Sequence, residues 1–271
     1  MCRAFLMYGK AKKFPYLLTY FVNSFNNGNT DGYFLGISDK VNIRTMSFAE
    51  LLNFMDNNRE LIDNEELVYG HARLATNAVC EDNIHGWNLN GFYCFHNGIN
   101  DIKDDENDND SWDFFKYVFR GQCKTSVVWE RFIDEVNDRG NGAYFMVNPS
   151  RNIIMIAGTT INVNIHLINK NLVLFNSNDD IHSFDEKLMV KRKHVYEIFG
   201  LEFYETRDSP LRYDKPDISS DIKAELDYEA LCIYRDEETD SFQSLSMGLI
   251  RGYKYNNYHR EYGKKNGWGH Y

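Results

Sequence analysis

Apolar residues come in short runs with a period near two at the start of the chain. They shift to a period near 3.6 in three places and return to alternation. CRAFLMYG (2–9), GYFLGIS (32–38), ELVYGHARLAT (66–76) and LNGFYCF (89–95) read as strands. Ser47-Phe48-Ala49-Glu50 has the form of a capping box. Phe48, Leu51, Leu52 and Met55 follow it at helical spacing. SWDFFKYVF (111–119) and VVWERFIDEV (127–136) predict two more helices, the second stopped near Gly140 and Gly142. GAYFMVNPSRNIIMIAG (142–158) predicts two strands around Asn148-Pro149-Ser150, and IHLINKNLVLFNS (165–177) a further pair. Strands at both ends with helices between them imply helices layered on sheets, an α+β arrangement.

The texture changes near residue 205. ETRDSPLRYDKPDISSD holds two of the chain's four prolines among charged residues and reads as a linker. ELDYEALCIYRDEETDSFQSLSM (225–247) promises one strand or a short ordered element. RGYKYNNYHREYGKKNGWGHY (251–271) interleaves aromatic and basic residues. The division expected is 1–204 as one domain and 205–271 as linker and C-terminal extension.

Composition narrows the classes. A net charge of −10 argues against a nucleic-acid coat. Only the Tyr/Gly/basic stretch could stack on bases. The chain start has no signal-peptide form, and no apolar run approaches the roughly 18–20 residues that span a bilayer. A soluble, cytoplasmic protein is expected. Five cysteines, odd in number and without C-x-x-C, fit neither a disulfide framework nor a zinc site. Neither a phosphate loop nor a G-x-S-x-G elbow occurs, so no metal and no cofactor is expected.

Chemistry gathers at a few positions. Removal of Met1 would leave Cys2 with a thiol and a free α-amine. That amine has a pKa of about 7.7–8.0 and can act as general base beside its own nucleophile. In CFHNGIND (94–101) the apolar alternation stops at Asn97-Gly98. Asn-Gly between apolar runs is the strongest short hairpin signal. The alternative is an oxyanion site, with the Asn97 amide and the Gly98 N–H as donors. Arg73 is either a surface ion pair or a carboxylate clamp. His71 is either structural or a base. Asp110 is either a helix N-cap or an acceptor for an ammonium group. Thiol, two oxyanion donors, guanidinium and carboxylate together suit one substrate class, glutamine or another γ-glutamyl amide.

These residues carry a resemblance to a family. MCR at the start, DGYFLGI (31–37), GHARLAT (70–76), Asn83 and His85 in EDNIHGW, HNGI (96–99) and Asp110-Ser111 occur in order. In that order and spacing the chain resembles the class II glutamine amidotransferases, which are N-terminal-nucleophile hydrolases, and most closely their stand-alone MCR-type members. Where the family has Glu after Asp-Ser, this chain has Trp112. The resemblance covers roughly residues 2–200. It implies a four-layer αββα sandwich with Cys2 as nucleophile and Asn97 and Gly98 as oxyanion hole. It also implies that Arg73 and Asp110 bind the glutamine carboxylate and ammonium, with Thr76 as a further contact. Glutamine would be hydrolysed through a thioester and its ammonia passed to a separate synthase or modifying enzyme. The alternatives are a free-standing γ-glutamyl amide hydrolase and a catalytically silent binding or assembly module.

Overall fold

The computed structural model describes residues 2–9, 28–75, 79–100, 109–121, 124–169, 172–177, 224–226, 229–235 and 242–248. Within them, period-two alternation builds two antiparallel sheets. The first runs β11-β9-β10-β1-β4-β2-β3. Its strands are β1 (Arg3–Gly9), β2 (Tyr33–Ile37), β3 (Val41–Thr45), β4 (Leu67–Ala72), β9 (Val163–Asn169), β10 (Leu172–Asn176) and β11 (Ala224–Leu226). The second runs β13-β12-β8-β7-β6-β5. It comprises β5 (Trp87–Leu89), β6 (Phe92–Gly98), β7 (Gly142–Asn148), β8 (Ile153–Gly158), β12 (Glu229–Arg235) and β13 (Phe242–Gly248).

Side-chain alternation sets the layers, because neighbouring residues of a strand face opposite sides of its sheet. On β1, Ala4, Leu6 and Tyr8 face the second sheet. There they join an interlayer core that includes Phe34, Tyr69, Phe95 and Phe145. The Phe95 and Phe145 rings stack at 5.2 Å. Phe5 and Met7 face the other way, onto α1 (Phe48–Asn57) and α2 (Arg59–Asn64) through Leu51, Met55 and Ile62. The outer face of the second sheet, with Cys94, Tyr144, Met146 and Met155, packs on α3 (Asp110–Val118) and α4 (Thr125–Arg139) through Phe114, Phe115 and Phe132. The order of layers is therefore helix, sheet, sheet, helix: the αββα sandwich.

Several expectations meet the coordinates here. Ser47 caps α1, its hydroxyl accepting the Glu50 N–H at 3.3 Å. The reciprocal arm of the box runs through Thr45, which bonds both the Glu50 carboxylate (2.5 Å) and the Ser47 N–H (2.9 Å). The stretch 225–247, expected to give one strand or a short ordered element, supplies β12, β13 and most of β11. β12 pairs with β8 from Glu229–Gly158 to Ile233–Ile154, so it belongs to the second sheet. The stretch 251–271 lies outside the described residues.

The hairpin reading of Asn97-Gly98 is corrected. β6 runs straight through both residues and pairs with β7, Asn97 opposite Ala143 and Gly98 opposite Gly142. The tight turn sits seven residues earlier, at Asn90-Gly91. There both residues have positive φ (53° and 84°), and Leu89 pairs with Phe92 across the bend. Two central residues at φ > 0 make the type I′ geometry that matches strand twist.

Candidate active site

Cys2 stands at the mouth of the first sheet. Arg3 pairs with Ala72, so continuing the register by one brings Cys2 to Arg73. The half-buried Cys2 Sγ donates to the Leu74 carbonyl at 3.6 Å. Burial pushes the thiol above its ordinary pKa. Arg73 and Asp110 both act on it electrostatically, the first favouring and the second opposing the thiolate. Arg73 is 3% exposed, which removes the surface ion-pair reading. The loop carrying Arg73 is held by the Asp31-Gly32 turn. Its N–H donates to the Gly32 carbonyl at 2.8 Å, and the Asp31 carboxylate accepts the Ala75 N–H at 2.7 Å.

Asn97 comes to the same end from the other sheet. Its Nδ2 donates to Ser177 Oγ at 3.0 Å, and that oxygen also accepts the Ala4 N–H at 3.0 Å. Ser177 N–H in turn donates to the Ala4 carbonyl, again at 3.0 Å. The amide of Asn97 is thereby tied to β1 two residues from Cys2. Its Oδ1 is buried without a hydrogen-bond partner among the described residues. A Cβ added at Gly98 would stand 2.1 Å from the Asn141 carbonyl and 2.5 Å from His96 Nε2, so only glycine fits there.

The reading of Asp110 as an N-cap is also corrected. The cap of α3 is Asn109, whose side chain accepts the Trp112 N–H at 3.0 Å. Asp110 is the first helical residue. Its carboxylate accepts the Asn100 N–H and lies 3.5 Å from the Ser111 hydroxyl. Burial raises its pKa, and these hydrogen bonds oppose the rise. Trp112, the departure from the family pattern, leaves the cap intact and packs on Trp87 at 5.6 Å.

Three buried histidines lie behind the site. His71 and His85 stack at 4.1 Å. His71 Nε2 donates to the His96 carbonyl at 3.0 Å, and His85 Nδ1 accepts the His96 N–H at 3.1 Å. The His96 ring faces the Asn141 carbonyl through Nε2 (3.1 Å), which puts its proton there. Nδ1 then accepts from the Ser111 hydroxyl at 2.9 Å. Burial lowers all three basicities, His71 and His96 to about 3, so each is neutral near pH 7. Among the described residues no group of three His, Cys, Asp or Glu side chains is placed to hold a metal ion.

Cys2, Arg73, Asn97, Gly98 and Asp110 are thus brought to one end of the sandwich, while Thr76 and Met1 lie outside the described residues. Sequence reasoning missed Ser177, Asn100 and Tyr144. Tyr144 stacks on His96 at 4.2 Å, accepts the Asn141 N–H at 2.7 Å and donates to Asn100 Oδ1. Ser177 follows the apolar run LVLF, 80 residues beyond Asn97, and no local pattern marks it.

No family model and no curated protein matches this chain. Among solved structures it is similar to a glutamine phosphoribosylpyrophosphate (PRPP) amidotransferase from B. subtilis, solved with ADP and GMP. The identity is 14% and the TM-score 0.49. The match covers 92% of this chain and 50% of that one, so this chain spans about half its length. A likeness of that order adds nothing to the geometry above. Among the described residues no helix is long and apolar enough to cross a membrane.

Proposed function

We propose that the chain is a stand-alone class II-type glutamine amidotransferase that hydrolyses the glutamine side-chain amide and supplies the ammonia to a partner enzyme. One observation carries the reading. The Cys2 thiol feels both a buried guanidinium and a carboxylate, at the end of β1 where Asn97 is tied. A guanidinium fork suits an α-carboxylate, and a carboxylate suits an α-ammonium. Glutamine carries both groups on its α-carbon and the amide at the far end of its side chain.

The chemistry follows in two halves. With Met1 removed, the α-amine of Cys2 takes the thiol proton. The raised thiol pKa makes that base necessary at neutral pH. Sulfur attacks the amide carbon, and the oxyanion is met by one hydrogen of Asn97 Nδ2 and the Gly98 N–H. The other Nδ2 hydrogen stays on Ser177 and keeps the amide plane in position. The C–N bond then breaks, the leaving nitrogen takes the proton from the amine and departs as ammonia, and a γ-glutamyl thioester remains. Water attacks the thioester, the C–S bond breaks, and glutamate leaves as the thiol is restored. Thr76 is a further substrate contact. A separate cytoplasmic synthase or modifying enzyme consumes the ammonia.

A second reading is favoured by the Asn97 amide, whose Nδ2 is already engaged and whose Oδ1 is unmatched. On it the chain is a silent assembly module. Turnover separates the two. Purified protein given glutamine releases glutamate and ammonia in equal amounts on the first reading, and Cys2→Ala releases none. Absence of turnover by the wild type, alone and with candidate acceptors, favours the second. Equal turnover of glutamine and larger γ-glutamyl amides points instead to a free-standing hydrolase.

A further inference from the structure

Among the described residues, β6 reaches the site without a strand on one of its edges. β5 pairs only with Phe92, Tyr93 and Cys94, and its last ladder contact is the Gly86 N–H on the Cys94 carbonyl at 2.8 Å. In an antiparallel strand the next residue facing that edge is two further on, at His96. A buried peptide N–H and C=O there need partners. The chain provides them as two imidazoles in place of a backbone: His85 Nδ1 takes the N–H and His71 Nε2 supplies a proton to the carbonyl. The two rings stack on each other and are almost wholly buried. Residue 83 of the same segment acts on the other side of the site. Asn83 Oδ1 accepts from Asn109 Nδ2 at 3.1 Å, and Asn109 is the cap that begins α3 at Asp110.

We propose that His71, His85 and Asn83 are positioning residues that form a side-chain brace. The two imidazoles hold the peptide before Asn97-Gly98 in place of an edge strand, and Asn83 holds the start of the helix that carries Asp110. The proposal rests on the amidohydrolase reading only for its activity readout. It assigns a physical task to the Asn-Ile-His stretch. His85 acts as an acceptor through Nδ1, and His71 as a donor through Nε2.

The two ring nitrogens make the idea testable by crossed substitution. An asparagine amide sits where Nδ1 of histidine sits, and a glutamine amide where Nε2 sits. His85→Asn and His71→Gln keep the bonds, while His85→Gln and His71→Asn lose them. The measurements are steady-state kinetics with glutamine and hydrogen exchange of the His96–Gly98 amides in the full chain. In the bond-losing pair, kcat is expected to fall about 10–100-fold with KM nearly unchanged, the size usual for supporting residues of a site. Their exchange at His96–Gly98 rises about tenfold or more. The bond-keeping pair stays near wild type in both. Asn83→Ala raises KM more than it lowers kcat, whereas Asn83→Asp, which still accepts from Asn109, restores KM. Equal behaviour of Asn and Gln at either histidine, or wild-type exchange in the bond-losing pair, overturns the brace. A wild type without glutamine turnover refutes the amidohydrolase reading instead, and the exchange pattern then decides the brace alone.

Discussion

Of the chain's five Asn-Gly pairs, those at 90–91 and 97–98 do opposite things. The first bends back on itself with both φ angles positive and joins β5 to β6. The second stays in the strand, with Asn97 reaching to Ser177 and Gly98 pressed against the Asn141 carbonyl. What separates them is what each meets. Asn90-Gly91 has a strand on either side and a mostly solvent-facing turn, so local turn chemistry decides. Asn97-Gly98 has β7 on one edge and imidazoles on the other, so tertiary contacts override the turn signal. A dipeptide with a strong local preference keeps it only where nothing larger competes.

The largest contrast should come from the asparagines. Asn97→Ala is expected to lower kcat for glutamine about 100- to 1000-fold, the usual effect of removing one oxyanion donor. Asn90→Ala should leave kcat unchanged and cost about 1 kcal/mol of stability, because alanine resists the left-handed conformation. Steady-state kinetics and urea unfolding of both variants check this, and equal kinetic losses would dissolve the distinction.

The glycines give the next contrast. Gly98→Ala must displace the Asn141 backbone, an overpacking cost of about 1–3 kcal/mol, and should lower activity as well. A Cβ at Gly91 meets Asn148 Nδ2 at 3.2 Å, so Gly91→Ala pays mainly for its φ of +84°, about 1 kcal/mol. Denaturant midpoints rank the two, and the reverse order would show that the close approach at Gly98 relaxes freely.

A smaller effect separates the two regions by pH. Burial depresses the folded pKa of His71, His85 and His96 below the unfolded value of about 6.5, while the Asn90-Gly91 turn has no such groups. Protons therefore bind the unfolded chain more readily. Stability is full above about pH 6.5 and falls progressively as pH drops toward the folded values, about 3 for His71 and His96. Each imidazole contributes a slope of up to about 1.4 kcal/mol per pH unit in that window. In thermal unfolding from pH 7 to 4, His85→Asn should lose stability less steeply than wild type. An unchanged slope would remove His85 from the balance.

Helices layered on sheets were legible because buried strands and amphipathic helices leave periods of two and 3.6 in the sequence, while the four-layer order was an implication of the resemblance. α2 escaped because RELIDN is a single short stretch whose N-cap, Asn58, makes no side-chain cap bond. β11 to β13 were underread because acidic and serine residues dilute their alternation. Of the site, Cys2, Arg73, Asn97, Gly98 and Asp110 were marked by residue type and by resemblance, yet two were assigned a competing local role that contacts removed. Asn109 took the cap from Asp110, and Asn90-Gly91 took the turn from Asn97-Gly98. Ser177 left no local trace, and His71 and His85 were marked by residue type and motif without any sign of what they bond. Their partners lie 80, 25 and 11 residues away in sequence, and only the folded chain joins them.

The measurement that tests the central claim most directly is the intact mass of the purified full chain before and after incubation with a glutamine-mimicking diazo-ketone. The account predicts a chain lacking Met1 that gains one adduct, with none on Cys2→Ala. A chain that keeps Met1 and gains no adduct would contradict it.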